Sequence, residues 1–209
     1  MNTHLRISAT NLKKVFNRRT IFRNISFSVR FGEVLLVTGK NGSGKSTLVK
    51  IISDVLSPSE GEIEFSGSDN VKTIARANLI GLVSPYLQMY DEFSAEENLQ
   101  YALSIRGRTP DISHIHELLG KVFLFHRKSD PVRTYSSGMK QRMKYAFALA
   151  HNPPVLLLDE PTSNLDTDGI AMVKQIMEEQ TQIGILIVAT NDLSDVDRFN
   201  AQVDLNAQT

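Results

Sequence analysis

Nine residues constrain this chain more than any others: Gly39, Lys40, Asn41, Gly42, Ser43, Gly44, Lys45 and Ser46 satisfy the pattern G-x-x-x-x-G-K-[ST], and Thr47 follows directly. Just before them, residues 34–38 form a continuous apolar, β-branched run, as expected of a strand buried on both faces. Just after them, Leu48, Ile51, Ile52 and Val55 recur at helical spacing. A strand, a glycine-rich loop and a helix in that order make a phosphate cradle. The glycines let backbone N–H groups converge on phosphate oxygens, and the helix adds the positive end of its dipole. Lys45 then supplies a point charge for β/γ-phosphates, and Ser46 a hydroxyl ligand for Mg²⁺.

The rest of the chain fits around that unit. Residues 155–158 and 185–188 are further apolar runs, and Ile170, Val173, Ile176 and Met177 mark a helix between them. Strands alternating with helices at both ends of the chain imply an α/β fold, a P-loop core with a mostly parallel sheet. Residues 5–8, 25–29 and 62–65 alternate apolar with polar, which predicts half-buried N-terminal antiparallel strands. Residues 79–83 read as another strand, and residues 195–205 as a short helix and an edge strand.

The middle is helical. Ser94 and Glu97 have the capping-box spacing ahead of Leu99, Ala102 and Leu103. A second helix carries Ile112, Ile115, Leu118, Leu119 and Val122 to about Phe125, and residues 128–135 form a loop. A third helix over 139–150 is stopped by Asn152-Pro-Pro. This gives a helical lobe of about residues 94–151 inserted into the α/β core, with residues 1–209 read as a single domain.

Composition removes several function classes. There are 23 Lys+Arg against 23 Asp+Glu, so no net basic charge supports sequence-independent nucleic-acid binding, and no nucleic acid is expected. Absence of Cys removes disulfides, Cys-ligated zinc and thiol nucleophiles together. The apolar runs are far too short to cross a bilayer, and the first residues lack the apolar stretch of a secretory signal. The expectation is a soluble intracellular protein. His114 and His116 lie two apart on a helix and do not share a face, so no metal site is expected there.

The run at 155–158 ends in Asp159 and Glu160, which a parallel sheet delivers to its C-terminal edge, where ligands bind. Asp159 is expected to hold Mg²⁺ through water, and Glu160 to orient or deprotonate an attacking water. Ser136, Ser137 and Gly138 open a helix and so offer hydroxyls and free N–H groups to an anion.

These motifs together resemble the ABC ATPases. Residues 135–142 (YSSGMKQR) are similar to the family's signature motif, and residues 159–166 (DEPTSNLD) to its Walker B plus D-loop. The resemblance covers essentially the whole chain. It implies that the loop at 39–47 binds ATP, that Phe16 stacks on adenine, and that Ser136, Ser137, Gly138 and Met139 bind the γ-phosphate of a second subunit. Asp166 falls in the D-loop. ATP would then close a head-to-tail dimer, homodimeric or heterodimeric with another ABC ATPase subunit, and hydrolysis would reopen it.

Two positions depart from that pattern. Where the family has a Gln contacting Mg²⁺, this chain has Pro85, and Gln88 is a candidate only if the loop takes a different path. Where the family has a His at the γ-phosphate, this chain has Asn191, which can donate a hydrogen bond but cannot become cationic. Slower turnover with retained ATP binding is therefore expected.

The resulting reading is the ATP-binding and hydrolysing subunit of an ABC transporter, most like compact bacterial haem-exporter-type ATPases. It would lie peripherally on the cytoplasmic face of the cell membrane and power a separate membrane-spanning subunit. Two rivals stay open: a soluble ABC ATPase with non-transport work, and an ATP-binding regulatory subunit with little turnover.

Overall fold

The computed structural model describes residues 4–67 and 76–208. β1 (Arg6–Phe16) pairs antiparallel with β2 (Arg19–Arg30) on one side and β4 (Glu60–Ser66) on the other. Asn17 and Arg18 both have positive φ, the backbone that a two-residue hairpin needs to match strand twist. Both strands run longer than the alternating residues suggest. Register shifts between Ala9 and Leu12, with Asn11 at φ 50°, mark a bulge that breaks the period without ending β1.

The second sheet is parallel, in the order β5-β6-β7-β3-β8. It comprises β3 (Val34–Thr38), β5 (Ile80–Val83), β6 (Val155–Asp159), β7 (Ile185–Ala189) and the edge strand β8 (Ala201–Asp204). Every residue of β3, β6 and β7 is buried, and alternate side chains enter two separate cores. Leu35, Val37, Leu157 and Ile187 pack with α1 (Lys45–Ile52) and the antiparallel sheet. Leu36, Leu156, Leu158 and Val188 pack with α6 (Thr167–Ile183) and the helical lobe. Register then sets the site: Asp159 and Val37 both pair with Ala189, so three loops leave the sheet side by side.

The lobe holds α3 (Ala95–Ser104), α4 (Ile112–Lys121) and α5 (Ser137–Leu149). The capping box at Ser94 and Glu97 forms as the spacing predicts. α4 stops at Lys121 rather than near Phe125, because Phe123 takes φ 59°, outside the helical region. α5 begins two residues before Met139, with Ser136 as its N-cap. Leu79 closes a four-residue helix, α2 (Arg76–Leu79), rather than opening β5; an apolar side chain serves either role. The short helix expected after residue 195 is instead a single 3₁₀ turn over Leu193–Asp195.

α5 packs so closely on β5 that a Cβ at Gly81 would sit 2.4 Å from the Ala148 carbonyl oxygen. At the end of α5 the His151 imidazole, 1 % exposed, places Nε2 3.2 Å from the Ile80 carbonyl. Burial and the Arg106 and Arg108 guanidiniums lower its pKa to about 4. The Ala150 and His151 carbonyls are met by His114 Nε2 and Arg108, and Lys121 pairs with Glu179 to tie α4 to α6.

Candidate functional site

The loop between β3 and α1 closes on itself through Gly44, at φ 105° and with no side-chain cap on the helix it starts. Only glycine fits. A Cβ there would meet Ile21 Cγ2 at 2.7 Å besides being strained by its φ. The N–H groups of Gly44, Lys45, Ser46 and Thr47 have no acceptor among the described residues. Lys45 is buried, donates from Nζ to the Gly39 carbonyl at 2.8 Å, and lies 3.4 Å from Glu160 Oε1. The Ser43 hydroxyl is buried in the same loop with no partner among the described residues.

Asp159 ends β6 fully buried, and neither carboxylate oxygen has a hydrogen bond of good geometry among the described residues. Burial raises its pKa; the neighbouring Ser46 hydroxyl favours the ionised form, Glu160 opposes it, and Lys45 and Lys50 favour it again. A buried, unpartnered carboxylate beside a hydroxyl offers hard oxygen donors of the kind Mg²⁺ takes. No group of three His, Asp or Glu that could hold a metal ion occurs among the described residues. Glu160 sits at φ 53°, a strained backbone held by its N–H to the Ala189 carbonyl at 2.8 Å and by Ser163 on its own carbonyl.

The third loop brings Asn191 to the same place: its Nδ2 donates to Asn41 Oδ1 at 3.3 Å. Beside the phosphate loop, between it, the Asn191 loop and β8, lies a cavity of ≈ 530 Å³ lined by Thr38, Lys40, Asn41, Asn191 and Asp204 among others; Lys45, Asp159 and Glu160 do not line it. A larger cleft of ≈ 840 Å³, between α6 and residues 195–198, holds none of the expected site residues. Sequence reasoning missed Asp195, which is buried and accepts from Thr162 Oγ1 at 2.7 Å and Thr190 Oγ1 at 2.6 Å. It locks the turn after Glu160 to the loop carrying Asn191. A lone acid in a polar segment gave no signal for that.

Phe16 is 44 % exposed, with Lys14 Nζ 4.8 Å from its ring centre. Lys14 is itself anchored on the Ser57 carbonyl. The start of α5 is exposed, and the Ser136 hydroxyl accepts from Met139 N at 3.2 Å. Behind it the Tyr135 phenol, bonded to the Arg127 carbonyl, is pushed up to about 12 by burial. Asp166 caps α6 at Gly169 and pairs with Arg142 of α5, whose hydrogen bond holds the carboxyl below its ordinary pKa. No hydrogen bond or ion pair among the described residues joins residues 136–139 to residues 39–47.

Pro85 stands in a turn just after β5. It occupies the second position of a turn closed by Leu87 N on the Ser84 carbonyl at 3.1 Å, where its fixed φ fits. Gln88 follows that turn, exposed and without a hydrogen bond among the described residues. The remainder of the loop is held by Asn98, fully buried. Its Oδ1 accepts from Tyr90 N at 2.9 Å, and its Nδ2 donates to the Tyr90 carbonyl at 3.0 Å and the Ser94 carbonyl at 2.9 Å.

Residues 22–163 match the protein-family model described as "ABC transporter". The lantibiotic transport ATP-binding protein SrtF of Streptococcus pyogenes is 36% identical over 190 residues, covering 90% of this chain and 81% of that protein. The linearmycin resistance ATP-binding protein LnrL of Bacillus subtilis (strain 168) is 32% identical over 188 residues, covering 88% of this chain and 60% of that protein. Among solved structures, the ATP-binding cassette MJ0796, a dimer in a post-hydrolysis state bound to ADP and Pi, superposes with a TM-score of 0.84 at 24% identity, over 95% of this chain and 93% of that one. A bacterial Atm1-family exporter with ATP bound gives 0.82 at 21% identity, covering 98% of this chain and 37% of that one. At these identities the two structures speak for the fold. The family match and the relatives go further: this chain belongs to the ABC transporter family, as an ATP-binding, ATP-hydrolysing subunit.

Proposed function

We propose that the C-terminal edge of the parallel sheet is the ATPase site, with Lys45, Glu160 and Asn191 acting on the γ-phosphate. The observation that carries this reading is the convergence of unpaired donors and acids. Free N–H groups at 44–47, the Lys45 ammonium and the Asp159–Glu160 pair meet where three loops leave the sheet. Residues 39–47 cradle the phosphates, and the exposed Phe16 ring stacks on the adenine. Glu160 accepts a proton from water as the water oxygen bonds to the γ-phosphorus. The bond from that phosphorus to the β–γ bridging oxygen breaks, and ADP and phosphate leave.

Ser46 and Asp159 would hold Mg²⁺, with Gln88 a weaker candidate. The ion supplies charge neutralisation for the phosphates. Asn191 donates a hydrogen bond to the γ-phosphate but holds no proton to exchange, so turnover is slow for a site of this architecture.

The start of α5, residues 136–139, with Ser136 and Ser137 exposed, completes the site of a second subunit in an ATP-closed dimer, with Asp166 beside it. Among the described residues no helix is long and apolar enough to cross a membrane. The relatives are named as transport or resistance ATP-binding proteins, which supports a separate membrane-spanning subunit with this chain at its cytoplasmic face.

Steady-state ATPase of the purified chain tests the assignment. Glu160→Gln should lower turnover by roughly 10²–10⁴-fold while ATP still binds, and Asn191→His should raise it. Equal, negligible turnover in wild type and Glu160→Gln would favour a binding-only subunit instead.

A further inference from the structure

The turn that carries Glu160 is held from three sides, and one of the holds is a buried carboxylate. Glu160 N donates to the Ala189 carbonyl of β7 at 2.8 Å. The phenol of Tyr145, a fully buried side chain of α5, donates to the Pro161 carbonyl at 2.7 Å. Thr162 Oγ1 donates to one oxygen of Asp195 at 2.7 Å, and the other oxygen accepts from Thr190 Oγ1 at 2.6 Å. Thr190 is itself fixed: it is fully buried, and its N–H donates to the Val37 carbonyl at 3.0 Å. One carboxylate thus fastens the residue two places after Glu160 to the residue just before Asn191.

As a stabilising device this is poorly chosen. Asp195 is 7% exposed and forms no ion pair among the described residues. A charge withdrawn from water and served by neutral hydroxyls costs stability that an apolar pair in the same place would not. What the carboxylate offers is geometry: one rigid group with two acceptors, each taking one hydroxyl. Glu160 needs such a hold. Its φ of 53° is a strained backbone that persists only where the surroundings over-determine it. Its carboxylate also has to stay beside Lys45, 3.4 Å away. Misplacing a catalytic group by about 1 Å can cost roughly 10²-fold in rate.

We propose that Asp195 is a positioning residue for ATP hydrolysis, whose carboxylate, through Thr162 and Thr190, sets Glu160 and Asn191 at one γ-phosphate. The inference rests on the assignment of Glu160 and Asn191 to that phosphate. It places the effect on the chemical step, with ATP binding left to the phosphate loop.

Steady-state turnover of the purified chain, counted per bound ATP, reads this role. Thr162→Val removes the hydroxyl and keeps the shape of the side chain, whereas Thr162→Ser keeps the hydroxyl. Thr162→Val should lower kcat by roughly tenfold or more, and Thr162→Ser by less than about threefold. ATP affinity by equilibrium dialysis should stay close to wild type in both. Asp195→Ala should lower kcat at least as far as Thr162→Val. Adding Thr162→Val to it should cost less than about a further twofold, because the two act through one contact. Thr162 is half-buried, and its hydroxyl serves Asp195 alone among the described residues. Its two replacements therefore decide the matter even if Asp195→Ala does not fold. An unchanged kcat in Thr162→Val overturns the inference, as do equal losses in Thr162→Val and Thr162→Ser. A loss that only follows ATP affinity or the folded fraction overturns it too, and so does an undiminished cost of Thr162→Val on top of Asp195→Ala. Wild-type turnover no faster than that of Glu160→Gln overturns the assignment of Glu160 itself, and this inference with it.

Discussion

Two helices of this protein begin at groups suited to an anion, and they are built in opposite ways. α1 has no side-chain cap; its first N–H groups are left without partners, and its backbone is held from outside. Ile21 and Phe22 press on Gly44, and Asn206 Oδ1 accepts from Lys40 N at 3.0 Å. α5 spends the Ser136 hydroxyl on its own backbone and stands exposed. Its far end is the fixed one, pinned through His151, Arg108 and His114. On the proposed function, the helix start that receives phosphate by itself is the one buttressed and left uncapped, and the one to be completed by a second surface caps itself.

The sharpest way to break this contrast is Gly44→Ala. The added Cβ meets Ile21 while the backbone is held at positive φ, so ATP affinity should fall at least tenfold. The melting temperature should fall with it, for a strain of about 1–3 kcal/mol. Unchanged affinity in a titration would mean that the free donors of α1 are not where phosphate binds.

The anchored end of α5 is tested by pH. The unfolded imidazole of His151 takes up a proton near pH 6.5, whereas the folded one, buried and facing Arg106 and Arg108, resists until about 4 although the Ile80 carbonyl favours the cation. Stability is therefore lost as pH falls through that window, by about 2–3 kcal/mol at its lower end. Melting curves of wild type and His151→Gln should diverge there; parallel curves would count against the anchor.

The mildest change is Ser136→Ala. Losing the N-cap should cost about 1 kcal/mol, a few degrees of melting temperature, with ATP binding to the isolated chain unaltered. Weakened binding in that variant would erase the distinction between the two helix starts.

How much of this could be read in the residues depends on how local the physics is. The phosphate loop, the acids ending β6 and the capping box at Ser94 were legible because each demands particular residue types at fixed spacing. Asn191 was found by its place after β7, and its amide does face Asn41. The Thr162–Asp195–Thr190 lock was invisible because it joins residues up to 33 apart through side chains that look like surface. The path of the loop at 84–94 was only half legible. Pro85 marked a departure from the family's Gln, but nothing in the spacing showed a turn there, with Lys144 on the Ser84 and Pro85 carbonyls and Lys50 over the Tyr86 ring.

One buried amide stands in for the secondary structure which that loop lacks. Asn98 holds the loop by both its N–H and its carbonyl groups, from a helix that its own capping box keeps in place. The fold thus asks little of the side chains between Ser84 and Tyr90, so long as both ends of the stretch stay fastened. It behaves as an exchangeable cartridge: a donor loop of equal length, grafted between those fastenings, should be accepted by the same body without a new core.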